Sequence, residues 1–118
     1  MPGGNVPDVG KRDYLGDFEH LVLLAIIRQE EEGYGLAIRD EIANRTGRDV
    51  ATGAIYTTLD RLEKKGYVQS TIEQGTVDRD NRRRRRYKVT KKGLGAVNET
   101  QSSIRRMSVG LNVAWGGK

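Results

Sequence analysis

The segment TGAIYTTLDRLEKKGYV, residues 52–68, combines hydroxyl and cationic side chains at helical spacing. Its apolar residues recur every three to four positions, which predicts a helix that buries one stripe, formed by Ile55, Leu59 and Leu62. The opposite side is predicted to carry Thr57, Thr58, Arg61 and Lys65. Hydroxyls donate or accept hydrogen bonds and a guanidinium binds guanine or phosphate, so this side is suited to a DNA groove.

The chain offers few groups for catalysis or metal binding. It has no cysteine, which removes disulfides and thiolate ligands, and its one histidine, His20, lies within a predicted helix, where a packed or surface role is the simpler interpretation. The glycines of GYGLAI lack the third glycine and the preceding strand of a phosphate-binding loop. The sequence therefore predicts no enzyme, no cofactor and no metal site.

Size and charge indicate a small globular protein with an anionic partner. The 118 residues suffice for one domain, and 36% hydrophobic and 31% charged residues are typical of a soluble chain. No run approaches the roughly 18 apolar residues of a membrane span, so we expect a cytoplasmic protein without a membrane partner. The net charge of +5 is concentrated: residues 79–92 hold nine basic residues and one acid, which leaves the remainder negative.

Three helices are predicted before the basic segment. Asp17 can cap the first helix, whose interior over residues 18–27 is apolar nearly all round, and residues 33–35 break the chain. A second helix is predicted over residues 36–46, with Gly47 as its stop. Val50 favours a short strand at residues 48–51, and Thr52 is the predicted N-cap of the third helix.

A strand hairpin and a fourth helix follow. The alternation of residues 67–74 predicts a half-buried strand, and a second strand over residues 83–90 brings Tyr87 and Val89 inward. Thr90 is placed to cap the last helix. Apolar residues recur along that helix after the core is complete, so a second copy of the chain is the expected partner of the stripe Leu94, Val97, Ile104, Met107 and Leu111.

Three ordered blocks resemble the signature of the PadR-like transcriptional regulators: GYGLAIRDEIANRTG, GAIYTTLDRLEKKGYV and RRRRRYKVTKKG. That family typically shows an aromatic-glycine entry to the second helix, a G-x-I-Y-x-x-L-x-x-L-E-x-x-G recognition helix, and a basic strand ending in Tyr, Thr and Gly. The resemblance covers about residues 18–93. Members often have Pro where Thr57 stands, and many have an aromatic where Arg86 stands, which leaves the base preference open.

The resemblance implies an α+β, mainly α fold: a winged helix-turn-helix of three helices and a two-stranded wing, followed by a short C-terminal dimerisation helix. We expect a flexible N-terminal tail over residues 1–15 and a DNA-binding domain over residues 16–90. The dimerisation helix is expected over residues 91–112 and a tail over residues 113–118.

The candidate DNA-binding residues lie on the third helix and the basic strand. Gly53 and Ala54 are small and allow close approach, while Tyr56 matches a family tyrosine with a structural or phosphate-contacting role; a core tyrosine with its hydroxyl at the surface is the alternative. Arginines nearest the wing tip are expected to contact phosphates or the minor groove, and the others to pair with acids such as Glu73. The full set is Thr52, Gly53, Ala54, Tyr56, Thr57, Thr58, Arg61, Lys65, Arg79, Arg82, Arg83 and Arg84.

These features together predict a homodimeric regulator of transcription that binds double-stranded DNA. Repression from a palindromic operator is the leading hypothesis, and relatives of this kind commonly lose DNA affinity when a small-molecule effector binds. Trp115 is a weak candidate for stacking on such an effector, with packing on the partner subunit as the alternative. A winged-helix module that binds protein and a sequence-tolerant nucleic-acid binder remain alternative functions.

Overall fold

A computed structural model describes residues 14–30, 33–77 and 83–111, which form four helices and one two-stranded antiparallel sheet. The elements in chain order are α1 Asp17–Gln29, α2 Gly35–Thr46, α3 Thr52–Lys64, β1 Val68–Val77, β2 Arg83–Val89 and α4 Lys91–Ser108. The predicted mainly helical winged helix-turn-helix is confirmed. None of the described helices combines the length and apolar character needed to cross a membrane. Residues 1–13 of the predicted N-terminal tail, residues 112–118, Arg79, Arg82 and Trp115 lie outside the described residues.

Two predicted helix caps are wrong by one residue. Gly16, not Asp17, is the N-cap of α1, and its N–H donates to the Glu19 carboxylate at 3.3 Å. Ala51, not Thr52, is the N-cap of α3, because the Ala51 carbonyl already accepts the first helical hydrogen bonds. The other two predicted ends are confirmed: Gly47 closes α2 in the left-handed conformation, and the Thr90 hydroxyl accepts from the Gly93 N–H at 3.0 Å.

The core joins the three N-terminal helices to the base of the sheet. The predicted stripe of α3 is fully buried, and it packs with the apolar faces of α1 and α2 and with inward residues of both strands. Each such buried aliphatic side chain contributes roughly 1.5–3 kcal/mol relative to exposure. The largest wholly buried side chains are Val22, Leu23, Ile38, Ile55, Leu59, Leu62 and Val68.

The sheet differs from its predicted form at two places. β1 continues to Val77, three residues beyond the predicted end, after an irregularity in pairing that follows Ile72. Residues 48–51 do not form the predicted short strand; a single antiparallel bridge joins Tyr34 to Arg86 on β2 instead. The chain entering α2 therefore pairs with the wing, and the chain entering α3 does not.

The first half of α4 is part of the core and the second half extends past it. Ala96 and Val97 are buried, and the Thr100 hydroxyl accepts from the Leu15 N–H at 2.9 Å. The prediction that Val97 is free for a partner subunit is wrong, because its side chain is buried in the protomer's own hydrophobic core. The helix ends at Ser108, before Leu111. Four members of the predicted stripe are exposed: Leu94 (44%), Ile104 (58%), Met107 (79%) and Leu111 (55%).

Candidate nucleic-acid interface

The outward side of α3 carries small, hydroxyl-bearing and cationic residues, and most of the residues predicted to lie there do so. Six residues of that side are exposed: Gly53, Ala54, Thr57, Asp60, Arg61 and Lys64. At about 100° per residue, all six fall within a sector of roughly 120° around the helix axis. One side of α3 thus presents a hydroxyl, two cations and one carboxylate, while its other side is embedded in the core.

Thr58 is not on that surface. It is only 4% exposed, so its predicted place on the outward side is wrong. The reason is angular, since at about 100° per residue Thr58 lies only ~40° from the buried Leu62 around the helix axis. A threonine tolerates this boundary position because its methyl group packs on apolar neighbours.

Thr52 and Lys65 lie at the two ends of α3 and both have partners within the protein. The Thr52 hydroxyl accepts from the Arg39 guanidinium of α2 at 2.8 Å, which ties the two helices of the helix-turn-helix together. The Lys65 ammonium donates to the Glu19 carboxylate of α1 at 2.9 Å. Both residues therefore hold α3 in place, whether or not they also contact DNA.

Tyr56 packs against the start of α2. A Cβ atom added to Gly35 would lie 2.6 Å from the Tyr56 ring and 2.7 Å from its hydroxyl oxygen, so only glycine accommodates the ring there. Tyr56 is half-buried and packs on the hydrophobic core. This packing is consistent with the structural role and with the core-tyrosine alternative, while a phosphate contact of Tyr56 stays a prediction. It also explains why glycine follows Tyr34 in the motif GYG.

The basic strand is held at its base by a four-residue cluster, which we call the wing latch: Tyr34, Glu73, Arg84 and Arg86. The Tyr34 hydroxyl donates to the Glu73 carboxylate at 2.7 Å, and the Arg86 guanidinium donates to the same carboxylate oxygen at 3.0 Å. The guanidinium carbons of Arg84 and Arg86 lie 3.9 and 5.9 Å from the centre of the Tyr34 ring. The predicted pairing of a strand arginine with Glu73 is confirmed.

The hydrogen bonds of the latch favour the charged form of Glu73. Donation from the Tyr34 hydroxyl, followed by donation from Arg86, lowers the pKa of Glu73 below its ordinary value. The same carboxylate raises the pKa of Arg86. One of the strand cations is thus neutralised within the protein, which leaves Arg84 as the latch residue whose charge is not paired in this way.

The described strand arginines alternate between the two sides of β2. Arg84 and Arg86 share the Tyr34 side, whereas Arg85 donates to the Ser70 hydroxyl at 2.9 Å. Arg83 begins β2, and only its backbone is described. The predicted phosphate contacts of Arg79 and Arg82 lie outside the described residues.

Sequence reasoning missed two residues of this surface, Lys64 and Tyr34. Lys64 lies in the same sector of α3 as Thr57 and Arg61, and its spacing of seven and three residues from them was a signal that could have placed it there. Tyr34 and Glu73 form the wing latch with Arg86. For Tyr34 no periodic signal existed, because its role depends on a contact between segments about 50 residues apart.

The described residues contain no cluster of three or more His, Asp or Glu side chains that could hold a metal ion. Across the described parts of α3 and β2, exposed and half-buried cations outnumber the two carboxylates, Asp60 and Glu63, which suits a polyanion.

Comparison with known proteins agrees with this geometry. The family model for the transcriptional regulator PadR-like family matches residues 23–99. No curated protein matches the chain. A PadR-like transcriptional regulator from Bacillus cereus is 26% identical, with a TM-score of 0.60, over 77% of this chain and 84% of that one.

Two further solved structures are similar over most of their length. A PadR family transcriptional regulator from Eggerthella lenta is 26% identical, with a TM-score of 0.62, over 76% of each chain. The structure of the hsRosR-SG complex is 30% identical, with a TM-score of 0.62, over 82% of this chain and 79% of that one. With the family match spanning more than half of the sequence, the chain belongs to the PadR-like family of transcriptional regulators.

Proposed function

We propose that this regulator binds a palindromic operator as a homodimer and represses the promoter that the operator overlaps. The observation that carries the proposal is the exposed sector of α3, which presents Thr57, Arg61 and Lys64 beside the small Gly53 and Ala54. An α-helix of this kind fits the major groove, where hydroxyls and guanidinium groups read base edges. Strand cations such as Arg84 add phosphate or minor-groove contacts.

Dimer formation is supported by the exposed end of α4. Ile104 lies seven residues after the buried Val97 and therefore continues the same side of the helix beyond the protein's own core. Ile104, Met107 and Leu111 are more than half exposed in the protomer. A symmetric pair of such ends buries these side chains, and two-fold symmetry sets the two α3 helices about one DNA turn, ~34 Å, apart.

Competition binding tests this function against its alternatives. The probe is an inverted repeat found upstream of the protein's own gene, and the competitor is a random duplex of equal length. We expect a preference of about 10³-fold or more for the repeat. A preference near one would indicate a sequence-tolerant nucleic-acid binder, and no binding to either duplex would indicate a protein-interaction module.

The salt dependence of the same binding provides a second readout. If about four cations per subunit contact phosphates, the log–log slope for the dimer is near −7. Arg61→Gln should reduce both affinity and slope, whereas the matched control Arg105→Gln, an exposed arginine on α4, should leave both unchanged. A wild-type slope near zero would exclude DNA recognition by these residues.

Control by a small-molecule effector is part of the proposal. A cavity of about 360 Å³ between α1, β2 and α4 supports it. Its lining is part apolar and part charged: Ile26, Ile27, Val89 and Leu94, with Glu30, Arg86 and Lys88. That volume is within the range of ligand sites, roughly 300–1,000 Å³. Because Leu94 on α4 lines this cavity, an occupant can favour one arrangement of α4 over another. A ligand that protects Leu94→Cys from thiol labelling and releases the operator would support this control; protection without release would contradict it.

A further inference from the structure

The wing latch connects three segments that are distant in sequence. Tyr34 precedes α2, Glu73 lies on β1, and Arg84 and Arg86 lie on β2. Backbone contacts reinforce the junction: Tyr34 bridges to Arg86, and the Gly33 carbonyl accepts from the Tyr87 N–H at 2.7 Å. The base of the wing is therefore fastened to the entry of the helix-turn-helix by both main chain and side chains.

The contacts within the latch are unequal. Arg86 forms an ion pair with Glu73, and its guanidinium carbon lies 5.9 Å from the centre of the Tyr34 ring, so it contacts the ring only at its margin. Arg84 is centred over the ring at 3.9 Å, and its charge is not consumed by a direct ion pair with Glu73. The Tyr34 ring in turn is fixed at its far end by the hydroxyl's hydrogen bond to Glu73.

We propose that Tyr34, fixed by Glu73 and Arg86, is a positioning residue that holds the Arg84 guanidinium in place for a DNA phosphate. Tyr34 itself does not touch DNA; it acts through Arg84. A guanidinium stacked on an aromatic ring keeps its N–H groups free at the ring's edge, so the same group can stack and donate to an anion. The proposal rests on the DNA-binding function proposed above.

Arg84 loses less conformational freedom on binding DNA when it is already ordered by the ring. Ordering a long side chain at an interface costs conformational entropy, and the latch removes part of that cost before binding. Glu73 also limits the charge of the wing, because its ion pair at 3.0 Å offsets the charge of Arg86. With the latch, the wing presents one ordered cation, Arg84, to DNA; without it, Arg84 and Arg86 would both be mobile.

A double-mutant cycle between Tyr34 and Arg84 tests the proposal. Tyr34→Leu removes both ring and hydroxyl, Tyr34→Phe removes the hydroxyl alone, and Arg84→Gln removes the cation. We expect Tyr34→Leu to reduce operator affinity about tenfold and to flatten the salt slope by up to ~0.9 per subunit, as loss of one phosphate contact does. Tyr34→Phe should have an intermediate effect because the platform remains.

The diagnostic result is non-additivity. In the Arg84→Gln background, Tyr34→Leu should change affinity by less than about twofold, because its effect passes through the missing guanidinium. The matched control is Tyr14→Leu, an exposed tyrosine outside the latch, which should change neither affinity nor slope. Additive losses from Tyr34→Leu and Arg84→Gln would overturn the proposal, since they would show that Tyr34 acts elsewhere.

A measurement without DNA separates failure of the latch from failure of the proposed function. Amide hydrogen exchange of residues 69–72 and 85–88 should accelerate several-fold in Tyr34→Leu and Glu73→Gln, and not in Tyr14→Leu. Unchanged exchange would overturn the latch even if the wild-type protein binds its operator. If exchange accelerates but the wild-type protein binds no duplex, the positioning role fails together with the DNA-binding function.

Discussion

Gly93, at the start of α4, is predicted to be irreplaceable, while Gly95 on the same helix is not. A Cβ atom at Gly93 would lie 2.3 Å from the Tyr67 carbonyl oxygen and 2.8 Å from a methyl group of Val89, whereas a Cβ atom at Gly95 meets nothing within 4 Å. The Tyr67 oxygen cannot move freely, because it accepts from the Thr90 N–H at 2.9 Å. Gly93→Ala and Gly95→Ala therefore serve as a test variant and its control on the same helix.

The magnitudes follow from that difference. Both Gly→Ala changes gain helix propensity of about 0.8–1.0 kcal/mol. Gly95→Ala should keep most of this gain. Gly93→Ala adds overpacking of roughly 1–3 kcal/mol, and strain on the Tyr67–Thr90 hydrogen bond adds about 0.5–1.5 kcal/mol. We therefore expect Gly93→Ala to be less stable than Gly95→Ala by about 1.5–4.5 kcal/mol, the sum of these two costs.

Urea unfolding at 25 °C, with free energies extrapolated to water, measures both variants against the wild type. A Gly93→Ala protein as stable as Gly95→Ala would refute the close approach of α4 to the Tyr67 carbonyl, and with it the packing of the start of α4 against the base of the sheet.

Three further outcomes are expected. Thr57→Val should weaken operator binding roughly two- to tenfold in a fluorescence anisotropy assay by removing a hydroxyl contact, while Thr58→Val should leave it unchanged. Ile104→Asp should dissociate the dimer in sedimentation velocity runs without lowering the protomer's stability, because that side chain is 58% exposed. Desolvation of His20 lowers its pKa below that of the unfolded chain, so stability measured by urea unfolding should fall as pH drops below about 6.5, and less so in His20→Gln.

A specific outcome would contradict each of these three predictions. Equal losses of operator affinity from the two threonine changes would mean that the orientation of α3 is wrong. A dimer that survives Ile104→Asp but not the matched Asn98→Asp, an exposed position on the other side of α4, would place the partner on a different surface. Identical pH dependence in wild type and His20→Gln would show that the buried Nε2 atom of His20, which has no hydrogen-bond partner among the described residues, is not the titrating group.

The helical elements could be predicted from the sequence because their signals are local. Ile55, Leu59 and Leu62 recur at helical spacing, and all three are fully buried. Thr90 carries its capping chemistry in its own side chain, and it caps α4 as expected. Thr58 was misplaced because residue type does not reveal which boundary position of a helix is covered by its neighbours.

Pairings between distant segments could not be predicted in the same way. Val50 has a β-branched side chain and suggested a strand, yet the bridge to β2 is made by Tyr34, which is about 50 residues from its partner Arg86 in the sequence. Val97 fits a heptad with Ile104, but whether it faces a partner subunit or α1 depends on the tertiary position of α4. Sequence reasoning was least informative about the site residues whose neighbours come from other helices and strands.

Methylation protection of guanine N7 atoms on the inverted repeat tests the central claim most directly, because it reports occupancy of the major groove itself. We expect two protected patches about 10 bp apart on one side of the duplex, one for each α3 helix of the dimer, with both patches weakened by Arg61→Gln. Tight binding without major-groove protection, or protection spread evenly along the duplex, would contradict recognition by the exposed sector of α3.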